Sequence, residues 1–134
     1  MEKLFDTPYR LTYILEGFDV NLYEVGCKDR LTVELDGKSK YESFRKLEKG
    51  GKLKQYNCQK VQVPREFAKK LIDDVYAVIK NATSEQMIID DYSGTVKLKF
   101  IGGEIIASRA LCDDNGIDVD MVVDNFICEY FDKN

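Results

Sequence analysis

Residues 64–81, PREFAKKLIDDVYAVIKN, decide the architecture. Proline suits a first helical position, because it has no N–H to leave unpaired and its φ is already helical. It also pushes Val63 towards extended geometry, so a strand is expected to run straight into the helix. Phe67, Leu71, Val75 and Val78 then recur at helical spacing, with Ala68, Ile72, Tyr76 and Ile79 one position further round the same face. Lys69, Lys70, Asp73 and Asp74 fall on the opposite side, where Lys69–Asp73 and Lys70–Asp74 are i,i+4 pairs. Such pairs add only about 0.2–0.5 kcal/mol each. Burial of the apolar face, at roughly 1.5–3 kcal/mol per large side chain, is what holds the helix in place. Asn81 is the expected stop.

Towards the N-terminus the pattern changes from period 3.6 to period 2. Tyr9–Glu16 alternates as a strand, and Gly17-Phe18-Asp19 is expected to turn the chain into a second strand, Val20–Val25. Gly26–Asp29 reads as another turn. Leu31, Val33 and Leu35 then define a third strand, closed by the hairpin signal Asp36-Gly37. Residues 38–62 are ambiguous. Tyr41, Phe44 and Leu47 are three apart, as in a helical turn, but Gly50-Gly51 favours the tip of a long hairpin between Lys40–Leu47 and Leu53–Val63.

Beyond the helix, Met87–Asp90 reads as a short strand, Asp91–Gly94 as a turn and Thr95–Ile101 as a strand with Val96, Leu98 and Phe100 inward. A two-residue loop at Gly102-Gly103 would pair Leu98 with Ala107 and Val96 with Arg109. The return strand would be Glu104–Cys112, with Arg109 where the buried face runs out. A second helix follows from about Val119 to Phe131, its stripe formed by Val119, Val122, Val123, Phe126, Ile127, Tyr130 and Phe131. The expected fold is one α+β domain over residues 1–134: an antiparallel sheet of meanders and hairpins with two amphipathic helices, in the approximate order βββββ-α-βββ-α.

Composition narrows the chemistry. The chain has 134 residues, enough for a core without staples, and no apolar run long enough to span a membrane. Its start, MEKLFDTPYR, lacks a signal-peptide core, so a cytoplasmic location is expected. Cys27, Cys58, Cys112 and Cys128 form no Cys-x-x-Cys pair, which suits reduced thiols rather than a zinc site. Histidine is absent, removing the commonest metal ligand and general base. Asp90 and Asp91 are adjacent, but neighbouring strand residues point to opposite faces and do not converge. No phosphate-binding glycine motif or nucleophile elbow occurs, and no motif is specific enough to name a family. The expectation is a protein that is not an enzyme and uses no metal or cofactor.

Charge is segregated along the chain. Residues 38–60 carry eight basic side chains against Glu42 and Glu48, whereas residues 84–134 carry eleven acidic and four basic ones, within a net charge of −4. The acidic run Asp113–Asp120 is not an EF-hand, since with Gly116 sixth, Leu111 and Val122 would fall at the first and twelfth ligand positions. It reads better as a turn and helix cap through Asp118 or Asp120, with a cation site of another kind still open. The leading functional expectation is a small acidic interaction module that binds a basic, nucleic-acid-acting protein through Asp113, Asp114, Asp118, Asp120 and Asp124 and modulates or inhibits it. Immunity proteins and phage inhibitors work in this way. The alternative is a nucleic-acid-binding module using Lys46, Lys49, Lys52 and Lys54 with Tyr56. The bland explanation of those lysines is a solvated arm protected from edge-to-edge pairing. A homodimer through an uncovered sheet edge or a tyrosine-rich face is compatible with either.

Overall fold

The computed structural model describes residues 7–85 and 92–131. Four strands precede the central helix: β1 (Arg10–Asp19), β2 (Glu24–Glu34), β3 (Lys38–Arg45) and β4 (Lys54–Gln62). The helix, α1, spans Arg65–Lys80, and is followed by β5 (Ser84–Glu85), β6 (Tyr92–Phe100), β7 (Gly103–Ser108), β8 (Leu111–Cys112) and a second helix, α2 (Val119–Tyr130). Six strands form one antiparallel sheet in the order β4-β3-β2-β1-β6-β7, and β5 pairs with β8 in a small second sheet. The fold is α+β, as the periodicities require.

Both helices cover the same face of the large sheet. The core joins Leu11 and Tyr13 of β1, Leu31 and Val33 of β2, and Val96, Leu98 and Phe100 of β6 to the buried faces of the helices. From α1 come Ala68, Leu71, Ile72, Val75 and Val78, and from α2 come Val119, Val123, Phe126 and Ile127. Tyr76 meets Phe100 edge-on at 5.3 Å, placing α1 over β6, while Tyr41 meets Phe131 at 5.6 Å, placing the end of α2 over β3. The Lys69–Asp73 and Lys70–Asp74 pairs form at 2.6 and 2.7 Å. Pro64 stands one position earlier than expected, as the N-cap, and Asn81 caps the C-terminus.

Several boundaries differ from the sequence reading. Val20–Tyr23 is the turn, and Gly26–Asp29 lies inside β2, so the expected second and third strands are one strand. Glycine is needed at both positions for close approach rather than for turning. A Cβ on Gly26 would lie 2.5 Å from Asp19 Cβ, and one on Gly17 would lie 2.6 Å from the Tyr92 ring. Asp36-Gly37 does turn the chain, with Gly37 at φ +99°. The long hairpin of residues 38–62 forms as β3 and β4. Tyr92–Gly94 belongs to β6 rather than to a turn; Met87–Asp90 and Asp91 lie outside the described residues.

The β6–β7 turn is Ile101-Gly102, not Gly102-Gly103, so Leu98 pairs with Ile105 and Val96 with Ala107. A two-residue slip keeps every side chain on its original face, so alternation alone could not choose between the registers. The slip ends β7 at Ser108 and separates β8 from it, while the Arg109 N–H still donates to the Gly94 carbonyl of β6 at 3.1 Å. Arg109 is then buried, at 5 % exposure, instead of marking an exposed margin.

Among the described residues, the other face of the sheet carries no helix. Cross-strand register places Arg10 and Glu16 (β1), Lys28, Arg30 and Glu34 (β2), Lys38, Lys40 and Glu42 (β3), Lys60 (β4), Lys97 and Lys99 (β6) and Glu104 (β7) on it.

Candidate functional site

The most concentrated polar chemistry lies beside α2, beneath the edge of the helix layer. Asp120 and Asp124 are four residues apart, hence one above the other on one helix face. Opposite them, inward positions of the sheet supply Tyr13, Asp29 and Tyr41, from β1, β2 and β3. These five side chains, with Leu15, Leu31 and Ile127, line a cavity of about 50 Å³. A space of that size accommodates a few water-sized groups. The cavity exists because the inward alternation of β2 places a carboxylate, Asp29, two residues before Leu31, between Leu15 and Ser43 on the neighbouring strands.

Both tyrosines face carboxylates. The Tyr13 hydroxyl donates to Asp120, and the Tyr41 phenol stands next to the Asp29 carboxylate on the wall of the cavity. Burial, reinforced by these carboxylates, pushes both phenols well above their ordinary value, so they stay neutral. The Arg109 guanidinium lies 3.4 Å from the same Asp120 oxygen and donates to the Tyr92 carbonyl at 3.2 Å. Arg109 thereby ties α2 to β6 and offsets part of the charge. Three carboxylates line the cavity; the Arg109 guanidinium lies beside one of them, Asp120, and the Cys128 thiol approaches Asp124 at 3.8 Å. An ammonium or guanidinium tip entering from outside would meet acceptors on several sides.

On the other side of α2 runs a groove of about 510 Å³ shared with α1. Phe67, Ile117 and Met121 are exposed along it, and Asp74 and Glu129 stand among its lining residues. The α2 ridge thus separates an acidic cavity from an apolar groove with carboxylates at its margin.

The five aspartates singled out in the sequence are not one surface. Asp113 organises its own turn by accepting from the N–H groups of Asn115 and Ile117 at 2.9 and 3.1 Å. Asp118 caps α2 by accepting from Met121 N–H at 2.7 Å and is buried. Asp114 is exposed, and only Asp120 and Asp124 reach the cavity. Asp29 was missed because its segment read as a turn; extending the Leu31/Val33 alternation backwards would have placed it on the core face.

The lysine group is also divided. Lys46 pairs with Glu24 at 3.2 Å, and the Gly50 N–H reaches the same carboxylate at 2.9 Å, holding Glu24 below its ordinary pKa. Lys49 lies 5.8 Å from the Tyr23 ring, Lys52 and Lys54 are exposed, and Tyr56 carries Arg45 over its ring at 5.0 Å. Lys46, Lys49 and Lys52 lie on the β3–β4 connection, and Lys54 and Tyr56 at the start of β4. All four cysteines are free thiols. Among the described residues, no group of three ligating side chains could hold a metal ion, and no helix is long and apolar enough to cross a membrane. The chain matches no protein-family model and no curated protein.

Proposed function

We propose that the protein is a small non-catalytic interaction module that binds a basic partner protein through the α2 ridge and modulates or blocks it, in the manner of an immunity protein or a phage inhibitor. The observation that carries this reading is the cavity in which Asp29, Asp120 and Asp124 converge beside two neutral tyrosines. Its size admits the tip of one lysine or arginine but not a ring, and the negative charge of its carboxylate lining favours a cation. The exposed Phe67, Ile117 and Met121 in the adjoining groove supply apolar area, while the carboxylates of α2 steer approach. Such an interface would combine an anchored cation with a dry contact, the arrangement in which a few residues dominate affinity.

The test is affinity capture from source-cell lysate after nuclease digestion, with wild type and Asp29→Asn/Asp124→Asn in parallel. Asparagine keeps the shape and an acceptor while removing both charges. A stoichiometric basic protein held by wild type and released by the variant is the expected result. Equal retention by the variant, or no protein retained by wild type, would overturn the reading.

A further inference from the structure

The face of the sheet opposite the helices carries eight cationic side chains and four carboxylates, although the whole chain has a net charge of −4. The rest of the chain therefore holds a net −8. Folding converts a mildly acidic sequence into a molecule with one positive face. We propose that this open face binds the phosphate backbone of duplex nucleic acid without reading its sequence.

Protection of sheet edges does not account for the charge. The edge strands are β4 and β7, and of the eight cations only Lys60 lies on an edge; the other seven are on β1, β2, β3 and β6. Solvation alone calls for polar side chains, not for cations outnumbering carboxylates two to one. Some of the charge is spent locally: Arg10 pairs with Glu34 at 2.8 Å, Arg30 with Glu42 at 3.0 Å, and Lys97 and Lys99 share Glu104 at 3.6 Å. Among the described residues, Lys28, Lys38 and Lys60 have no ion-pair partner. Lys40 reaches Glu42 only at 3.8 Å, and Glu42 is already held by Arg30. Lys38, Lys40 and Lys60, together with Thr32, Gln62 and the Arg10-paired Glu34, line a shallow depression of about 410 Å³ on this face. That depression is where a phosphate would meet several donors at once.

The occupant follows from what the face offers. Six strands at about 4.8 Å spacing make a platform roughly 24 Å wide, enough to meet several phosphates of one duplex. Phe44 on this face is half-buried with the Arg30 guanidinium 5.4 Å from its ring, and the exposed rings of Phe18 and Tyr56 stand towards the opposite ends of their strands from the depression formed by Lys38, Lys40 and Lys60. Binding should be electrostatic and indifferent to sequence. A lipid surface is a poorer match, because the apolar side chain most exposed on this face, Ile106, stands on the far edge strand from the lysines.

The inference is independent of the α2 reading and uses different residues, so either can fail alone. The experiment is fluorescence anisotropy with a labelled 20-base-pair duplex of arbitrary sequence across a salt series. About four phosphate contacts give a log–log salt slope near −3.6, or roughly a hundredfold loss of affinity between 50 and 200 mM salt. Lys38→Gln/Lys40→Gln/Lys60→Gln should flatten the slope by about 2.7, whereas Lys69→Gln/Lys70→Gln on α1 should leave it unchanged. Should the triple variant lose cooperative unfolding, Lys28→Gln/Lys60→Gln carries the test with a flattening of about 1.8. A flat anisotropy curve for wild type at 25 mM salt, an unchanged slope in the sheet variants, or equal uptake by phosphatidylserine-containing vesicles would each overturn the proposal.

Discussion

Tyr13→Phe isolates the bond that joins the centre of the sheet to α2. The ring stays in place at 4 % exposure, and only the oxygen that donates to Asp120 is removed. A hydrogen bond to a charged group contributes about 1.5–3 kcal/mol. Two features of this site favour the lower half of that range. Asp120 keeps Arg109 at 3.4 Å, and its side chain is 31 % exposed, so water can replace the lost donor. A loss of about 1.5–2 kcal/mol is expected, which for a chain of this length lowers Tm by about 5–7 °C. Urea denaturation followed by circular dichroism at pH 7 measures it, with m unchanged. Repeating the substitution in an Asp120→Asn background completes a double-mutant cycle, and a coupling of about 1 kcal/mol or more is expected because the two groups are in contact. Strict additivity, or a Tyr13→Phe protein within 0.5 kcal/mol of wild type, would refute the view that this bond holds α2 to the sheet.

Other outcomes follow from the same geometry. Tyr13 and Tyr41 are both shifted upward in the folded state, so above their unfolded value of about 10 the unfolded chain loses protons that the folded chain keeps. Stability should fall there by up to about 1.4 kcal/mol per pH unit for each tyrosine, and the urea midpoint of Tyr13→Phe should decline less steeply from pH 10 to 11.5. Gly37→Ala combines φ +99° with a Cβ 2.0 Å from the Val63 carbonyl, whereas Gly50→Ala at φ +77° meets nothing within 4 Å. The first should cost well over 2 kcal/mol and the second about 1–2 kcal/mol, and equal thermal shifts would contradict this. Leu71→Asp places a carboxylate in the α1 core and should abolish cooperative unfolding; a soluble variant with a sharp transition would refute the packing described for α1.

The helices were legible because their stripes are wide and their ends carry strong local signals at Pro64, Asn81 and Asp118. The strands were less so, for reasons specific to particular residues. Gly17 and Gly26 read as turns, yet each is a glycine because a neighbouring side chain occupies the space of a Cβ. Sequence periodicity does not register a neighbour that arrives from another strand. The β6–β7 register was underdetermined because slips of two preserve alternation, and Arg109 was misplaced with it. The aspartate cluster was legible as charge, but not as roles. Asp113 and Asp118 serve backbone N–H groups, while Asp120 and Asp124 look into a cavity completed by Asp29, ninety-one residues earlier. The basic face was hidden for the same reason: its cations come from five strands that alternate with inward apolar residues, so no short window of sequence contains it.

The position of β1 bears on how the chain is made. β1 through β4 form a meander of neighbours in sequence, whose pairings close short loops and can be complete soon after synthesis. The other edge of β1 pairs with β6, through partners such as Tyr13 and Val96, and that strand emerges only after α1. Until it does, the nascent sheet ends at an unpaired strand carrying Leu11 and Tyr13, the kind of edge that recruits other chains. This long-range seam therefore runs through the interior of the finished sheet rather than along its edge, and misassembly during translation should concentrate there.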